Sequence, residues 1–406
     1  MYEVRALAGG VQVVLDGELG LESFTACVVL PVSSRDERPD EVGMSHLLEH
    51  LVMSAPASFD GVPFAEWVSE VGGQANASTS KETIAYWARV PAEAAVECIA
   101  RLASAVGAPA LDDELVTAEQ RVVVQELLSA AADPVDQSTE RFYQALFPDH
   151  PLGQPVGGRV EFLDFSLDQL LARHRRSLDS AAACVSLVGP TQLLTATLDV
   201  LDRGELGRRR HVGGRISRTP VPEGTAGRQL SVPPDADYAY VTVGGRGAAR
   251  MDPLWAGFEV LGTAIGGLPG SMLYHRLRTE LGVSYQVFSM VTPFSDCGAW
   301  RVLAGSTPDE VGRLEKVVHE CLEEAAEYRL PAGAVDAARS QALGALLIDN
   351  EDPVARAHLN AYYAADGIVG HSPVAHARAL LVGVGETKVA EAAARVLDTY
   401  TAVVAT

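Results

Sequence analysis

The chain has 406 residues, 48% apolar and 21% charged, with 37 Gly and 22 Pro spread along it, a balance that excludes disorder and fibrous repeats and predicts two domains with real cores. Thirty-two Lys and Arg against 53 Asp and Glu leave a net charge of −21, which repels a phosphate backbone and an anionic bilayer alike and argues against nucleic-acid or membrane partners. The N-terminus does not read as a signal peptide, no run approaches about 18 apolar residues, and the five Cys lack CxxC spacing and read as buried thiols, so a soluble, cytoplasmic protein is expected.

In chain order, short β-like runs at Tyr2 to Leu7, Val11 to Leu15 and Phe24 to Pro31 precede a helical pattern from about Glu41 to Ser54. Two strands, Gln74 to Ser80 and Thr83 to Val90, follow the Gly72-Gly73 break, and Ala/Leu/Glu-rich helices run on to about Leu178. A strand at Cys184 to Val188 closes a first domain, 1–201. Residues 202–228, rich in Arg, Gly and Pro and poor in apolar pattern, read as an interdomain linker. The element types then repeat over 229–406, with strands at Gln229 to Val232 and Ala239 to Val243, helices from Pro253 to about Leu281, a strand pair at Ser284 to Val291 and Ala299 to Ala304, and long helices. The expected fold class is α+β: two similar domains, each a mostly antiparallel sheet with helices packed on one face.

The most informative segment is Gly43-Met-Ser-His46-Leu-Leu-Glu49-His50. On a helix, residues four apart share a face, so His46 and His50 present two imidazoles to one ion. Glu49 borders that face and is placed to take a proton from a water without ligating the metal. A third ligand is still needed. The helical stretch from Asp113 to Ala131 offers two carboxylates, Glu119 and Glu126, seven residues or almost two turns apart on one face. Glu126 suits ligation and Glu119 suits orienting a ligand or the water.

This arrangement resembles the inverted zincins of the pitrilysin, insulin-degrading enzyme and mitochondrial processing peptidase family, whose helix carries His-x-x-Glu-His. Glu126 follows His50 by 76 residues, near the family spacing, and Glu119-Gln-Arg-Val-Val-Val-Gln-Glu126 looks like its second acidic helix. Gly72-Gly-Gln-Ala-Asn76-Ala77-Ser-Thr is similar to the strand beside the metal, and His150-Pro-Leu-Gly-Gln-Pro to another family segment. The Gly-rich turn at Gly266, followed by Arg278 and Tyr285, looks like the family's Arg and Tyr pair. Ser45 departs from the usual small Ala, and Met53-Ser-Ala-Pro-Ala-Ser from the usual continuation after the motif.

The resemblance implies a zinc endopeptidase with one Zn2+ per chain on His46, His50 and Glu126, and Glu49 as general base. It further implies that Asn76 and Ala77 bind an extended peptide, while Arg278 and Tyr285 steady the carbonyl or oxyanion. Unfolded peptides or leader segments would be cut in an enclosed chamber, by a homodimer rather than a heterodimer with a metal-free partner. The alternatives are a subunit active only with such a partner and a non-catalytic peptide-binding or structural subunit.

Overall fold

The computed structural model describes every residue except 58–59, 181, 210–217, 225–226, 234–235, 267 and 369–371. Part of the predicted linker and Gly267 of the Gly-rich turn thus lie outside the described residues.

Strands β1 (Tyr2–Ala6), β2 (Gln12–Glu18) and β3 (Ser23–Leu30) lead into helices α1 (Met44–Ser54) and α2 (Phe64–Glu70) and the hairpin of β4 (Gln74–Thr79) and β5 (Ile84–Pro91). Helices α3 (Ala95–Gly107), α4 (Asp113–Ala132), α5 (Pro134–Leu146) and α6 (Leu167–Ser180) follow, then β6 (Cys184–Pro190), α7 (Leu194–Arg203) and the short α8 (Glu205–Arg208). Next come β7 (Gly227–Gln229), β8 (Ala239–Gly247), α9 (Trp255–Ile265), a π-helical stretch at Tyr274–Glu280, β9 (Val287–Pro293) and β10 (Gly298–Ser306). The chain ends with α10 (Val311–Ala326), α11 (Ala334–Asp349), α12 (Pro353–Ala365), α13 (Pro373–Val382), α14 (Glu386–Asp398) and β11 (Thr401–Ala405).

The fold is α+β with two mixed, mostly antiparallel sheets. The first has the order β1-β2-β6-β3-β5-β4 and the second β7-β11-β8-β10-β9; among the described residues, only β2 with β6 and β11 with β7 pair in parallel. The strand expected at Gln229 to Val232 instead covers Gly227–Gln229, because its extent is set by three residues of its partner, Thr401 to Val403.

Two compact units result, each assembled from three stretches: Met1–Leu128, Pro155–Arg218 and Ile348–Pro373 form the first, and Ser129–Gln154, Thr219–Leu347 and Val374–Thr406 the second. Each sheet therefore gains a helix from the other half of the sequence. In the first unit, Phe24, Ala26, Val28 and Leu30 of β3 face one core with Ile99 and Leu102 of α3 and Leu194 and Leu201 of α7. Cys27 and Val29, pointing the other way as strand alternation demands, meet Ala357 and Ala361 of α12. In the second unit, α5 plays the same part: Phe142 and Leu146 cluster with Ala299 and Val403, and Ser138 Oγ lies 2.6 Å from Thr242 Oγ1.

Both exchanged helices open with Asp-Pro-Val. Asp133 accepts the Val135 N–H at 2.7 Å and Asp352 the Val354 N–H at 3.1 Å, and Pro at the first helical position forgoes a donor that would have no partner there. At the described positions of 202–228, Leu206 joins the first unit's core, and Arg218 donates to Asp36 and Glu82 at 3.0 and 3.1 Å. All five cysteines are buried thiols outside any disulfide. No helix among the described residues is long and apolar enough to cross a membrane.

Candidate metal centre

Helix α1, carrying His46, Glu49 and His50, is fixed at its start by a carboxylate. Glu37 accepts the N–H groups of Gly43 and Ser45 at 2.9 and 2.7 Å, satisfying donors that a helix start leaves open. Burial raises the Glu37 pKa, and the bonds from Ser45 and Gly43 with the nearby Arg173 charge offset part of that rise. Gly43 has φ +98°, where a side chain is strained, and a Cβ there would lie 2.9 Å from the Gly157 carbonyl oxygen. The unusual Ser45 is fully buried, and its hydroxyl accepts from Arg173 Nη2 at 3.2 Å.

The apolar face of α1, Met44, Leu47, Leu48 and Leu51, packs with Val116 and Val123 of α4 and with Leu163, Phe165 and Leu170. That docking brings His46 and His50 against the acidic side of α4. His46 Nε2 lies 3.5 Å from Glu126 Oε1 and His50 Nε2 3.2 Å from Glu126 Oε2, while His50 Nδ1 lies 3.3 Å from Glu119 Oε2. The two rings meet edge to face with centroids 4.9 Å apart. Among the described residues, one ligand atom each from His46, His50 and Glu126 falls within 4.8 Å of the others, close enough to share an ion.

The donor set fits a cation. If His50 Nδ1–H donates to Glu119, Nε2 presents a lone pair toward Glu126 Oε2, so two acceptors face each other at 3.2 Å. A metal ion between them resolves that opposition, and the Nδ1 bond fixes the required tautomer. Burial is the main cause that lowers the His46 pKa, with Glu126 pulling it back up, so the neutral, ligating form of the ring is favoured. Glu49 stands outside this set of ligand atoms but close enough for its charge to act on His46, and its Oε2 accepts the Thr79 hydroxyl at 2.5 Å.

Asn76 and Ala77 lie on β4, the outermost strand of the first sheet. The Ser80 N–H donates to the Thr83 carbonyl at 2.8 Å. Antiparallel alternation from that pair turns the backbone N–H and C=O of Thr79, Ala77 and Ala75 away from β5, toward the open edge. The exposed Asn76 accepts the Ala77 N–H at 2.8 Å with its own side chain.

In the second unit, the Arg278 guanidinium lies 4.3 Å from the Tyr285 ring centroid and 4.8 Å from that of Tyr274. The two predicted residues are thus stacked together, with Tyr285 72% exposed. Its loop is pinned by Ser284, which donates to the Gly305 carbonyl at 2.6 Å.

Three contributors to the candidate centre escape the sequence reading: Glu37, Gly157 and Thr79. A Cβ at Gly157 would stand 3.3 Å from His46 Nδ1 and 2.6 Å from Leu127 Cδ2.

Residues 17–159 match the family model described as Insulinase (Peptidase family M16), and residues 164–342 that of the Peptidase M16 inactive domain. An uncharacterized zinc protease of Mycobacterium leprae is 31% identical over 362 residues, 85% of this chain and 78% of that protein. One from Streptomyces coelicolor is 28% identical over 363 residues, 85% and 76%. Among solved structures, a protease from Helicobacter pylori superposes with a TM-score of 0.89 at 19% identity, covering 100% of this chain and 99% of that one. A peptidase M16 inactive domain from Pseudomonas fluorescens gives 0.86 at 16%, covering 100% and 97%. At these identities the structural likeness speaks for the fold alone.

Proposed function

Because the chain belongs to the insulinase family of peptidases, M16, we propose that it is a zinc-dependent endopeptidase that cuts unfolded peptides or leader segments. One observation carries this reading: the Nε2 atoms of His46 and His50 converge on the Glu126 carboxylate, with Glu49 on the same helix. His46, His50 and Glu126 would hold the metal, and Glu119 would orient His50. Zinc, when bound, supplies Lewis acidity, making a water acidic enough to lose a proton near pH 7 and polarising the scissile carbonyl.

Glu49 accepts that proton as the water attacks and returns it to the departing amine. The open edge of β4 suits an extended peptide, whose backbone would pair with the outward groups of Ala75 and Thr79 and with the Ala77 carbonyl, with Asn76 alongside. Such pairing reads backbone before side chain, hence the unfolded substrate. Arg278 and Tyr285 would steady the carbonyl or oxyanion. Because one chain carries both the metal set and this pair, a homodimer enclosing a chamber is favoured over a heterodimer with a metal-free partner. Five buried thiols outside any disulfide favour a reducing, cytoplasmic setting.

The test is digestion of a mixture of unfolded peptides by wild type and by Glu49→Gln, with the products read by mass spectrometry. Fragments are expected from wild type alone, vanishing with a chelator, while Glu49→Gln keeps its zinc. Cutting by Glu49→Gln at the wild-type rate overturns the mechanism.

A further inference from the structure

We infer that Thr79 is a positioning residue for the general base: its hydroxyl holds one oxygen of Glu49 so that the other is presented to the attacking water. The inference rests on the endopeptidase reading and deepens it. Thr79 is the last residue of β4, and its side chain lies on the same side of the strand as Ala75 and Ala77, which pack toward the apolar core of the first unit. On that side its hydroxyl reaches Glu49 Oε2 at 2.5 Å.

A hydroxyl has one proton to give, and giving it to Oε2 ties that oxygen of Glu49 to β4 and sets the plane of the carboxylate. The remaining oxygen, Oε1, is then left for the water. The Thr79 backbone is firmly placed, because the next residue is clamped from several directions. The Ser80 carbonyl accepts the Ser33 hydroxyl at 2.6 Å, its N–H donates to the Thr83 carbonyl at 2.8 Å, and its hydroxyl accepts the Thr83 N–H at 3.1 Å. A β-branched side chain on a fixed strand has few rotamers to choose from, so the hydroxyl is aimed before substrate arrives.

No other hydrogen bond to the Glu49 carboxylate is present among the described residues. Thr79 also joins two functions in one residue. Its backbone faces the open edge where a peptide would pair, and its side chain holds the base, so a peptide seated along β4 lies in register with the carboxylate.

The test compares wild type, Thr79→Val, Thr79→Ser and Glu49→Gln, each as the full chain, on a quenched fluorescent peptide built around the first cut site found in the wild-type digest. Thr79→Val keeps the shape and removes the donor. Losing a hydrogen bond to a charged group predicts a fall in kcat of about tenfold to a hundredfold, with KM and zinc content nearly unchanged. Thr79→Ser restores the donor and should recover most of the lost kcat. A rise in KM with kcat intact would assign Thr79 to peptide docking only and overturn the inference, as would full kcat in Thr79→Val. If Thr79→Val fails to fold or to bind zinc, Thr79→Ser decides alone: kcat within a few fold of wild type supports the inference, and a loss as deep as that of Glu49→Gln refutes it. Wild type that cuts nothing, or Glu49→Gln that cuts at the wild-type rate, sinks the endopeptidase reading itself and this inference with it.

Discussion

Glu119 provides the sharpest check on how the metal centre is built. Its Oε2 lies 3.3 Å from His50 Nδ1, and its side chain is 14% exposed against 52% for Glu126, so water screens the Glu119 contact poorly. Replacing Glu119 with Gln keeps an acceptor but removes its charge. Hydrogen bonds to charged groups are worth about 1.5–3 kcal/mol and neutral ones about 0.5–1.5, so the difference of about 1 kcal/mol predicts zinc binding weakened about fivefold. Glu119→Ala leaves the Nδ1–H of a largely buried ring without its acceptor and frees the ring to turn, which predicts a loss of about tenfold to a hundredfold. Glu126→Gln removes a ligand and should cost far more than either. Competition of each variant with a chromophoric chelator at fixed pH measures all three. The reasoning fails if Glu119→Ala binds zinc as wild type does, or if Glu119→Gln loses as much affinity as Glu126→Gln.

Three further outcomes are expected. Buried His174 has its pKa pushed down to about 4, chiefly by burial. The unfolded chain takes up this proton near pH 6.5 and the native one only near 4, so its stability contribution is whole above about 6.5 and falls by about 3 kcal/mol on the way to 4. His174→Gln should flatten that part of a pH series of urea melts, whatever it does to stability at pH 7, and an unchanged slope would show that His174 is not the group responsible. Ala361→Leu forces extra carbon between α12 and the fully buried Cys27, Val29 and Ala85 and should cost about 1–3 kcal/mol; a neutral effect in urea melts would mean that α12 does not pack there. Gly157→Ala brings a methyl against His46 and Leu127 and should lower zinc affinity in the same competition assay, with wild-type affinity arguing against close packing of that turn.

The clustering of His46, His50, Glu119 and Glu126 was legible because it is written at helical spacing. His46 with His50 and Glu119 with Glu126 each need only the α-helical repeat to share a face, and both stretches are helices here. Arg278 and Tyr285, singled out by the resemblance alone, stack together, Arg278 from a π-helical stretch and Tyr285 from the loop that follows it. What escaped depends on pairing across distance. Glu37 reaches the start of α1 through two backbone N–H groups, and backbone donors leave no mark on the sequence. The strand β11 is a five-residue run behind a helix, and its identity as a strand comes from β8 and β7 on either side.

By itself the sequence determined the local periods, the acidic balance and the family resemblance, because each is a property of neighbouring residues or of composition. Only the tertiary structure decided that α5 and α12 cross to the opposite sheets, since one apolar helix face fits many apolar surfaces and the choice among them is made by packing. It also decided that Thr79, rather than any residue near Glu49 in the chain, holds the Glu49 carboxylate. A contact between residues 30 positions apart exists only once β4 and α1 are docked, and no spacing rule reaches that far.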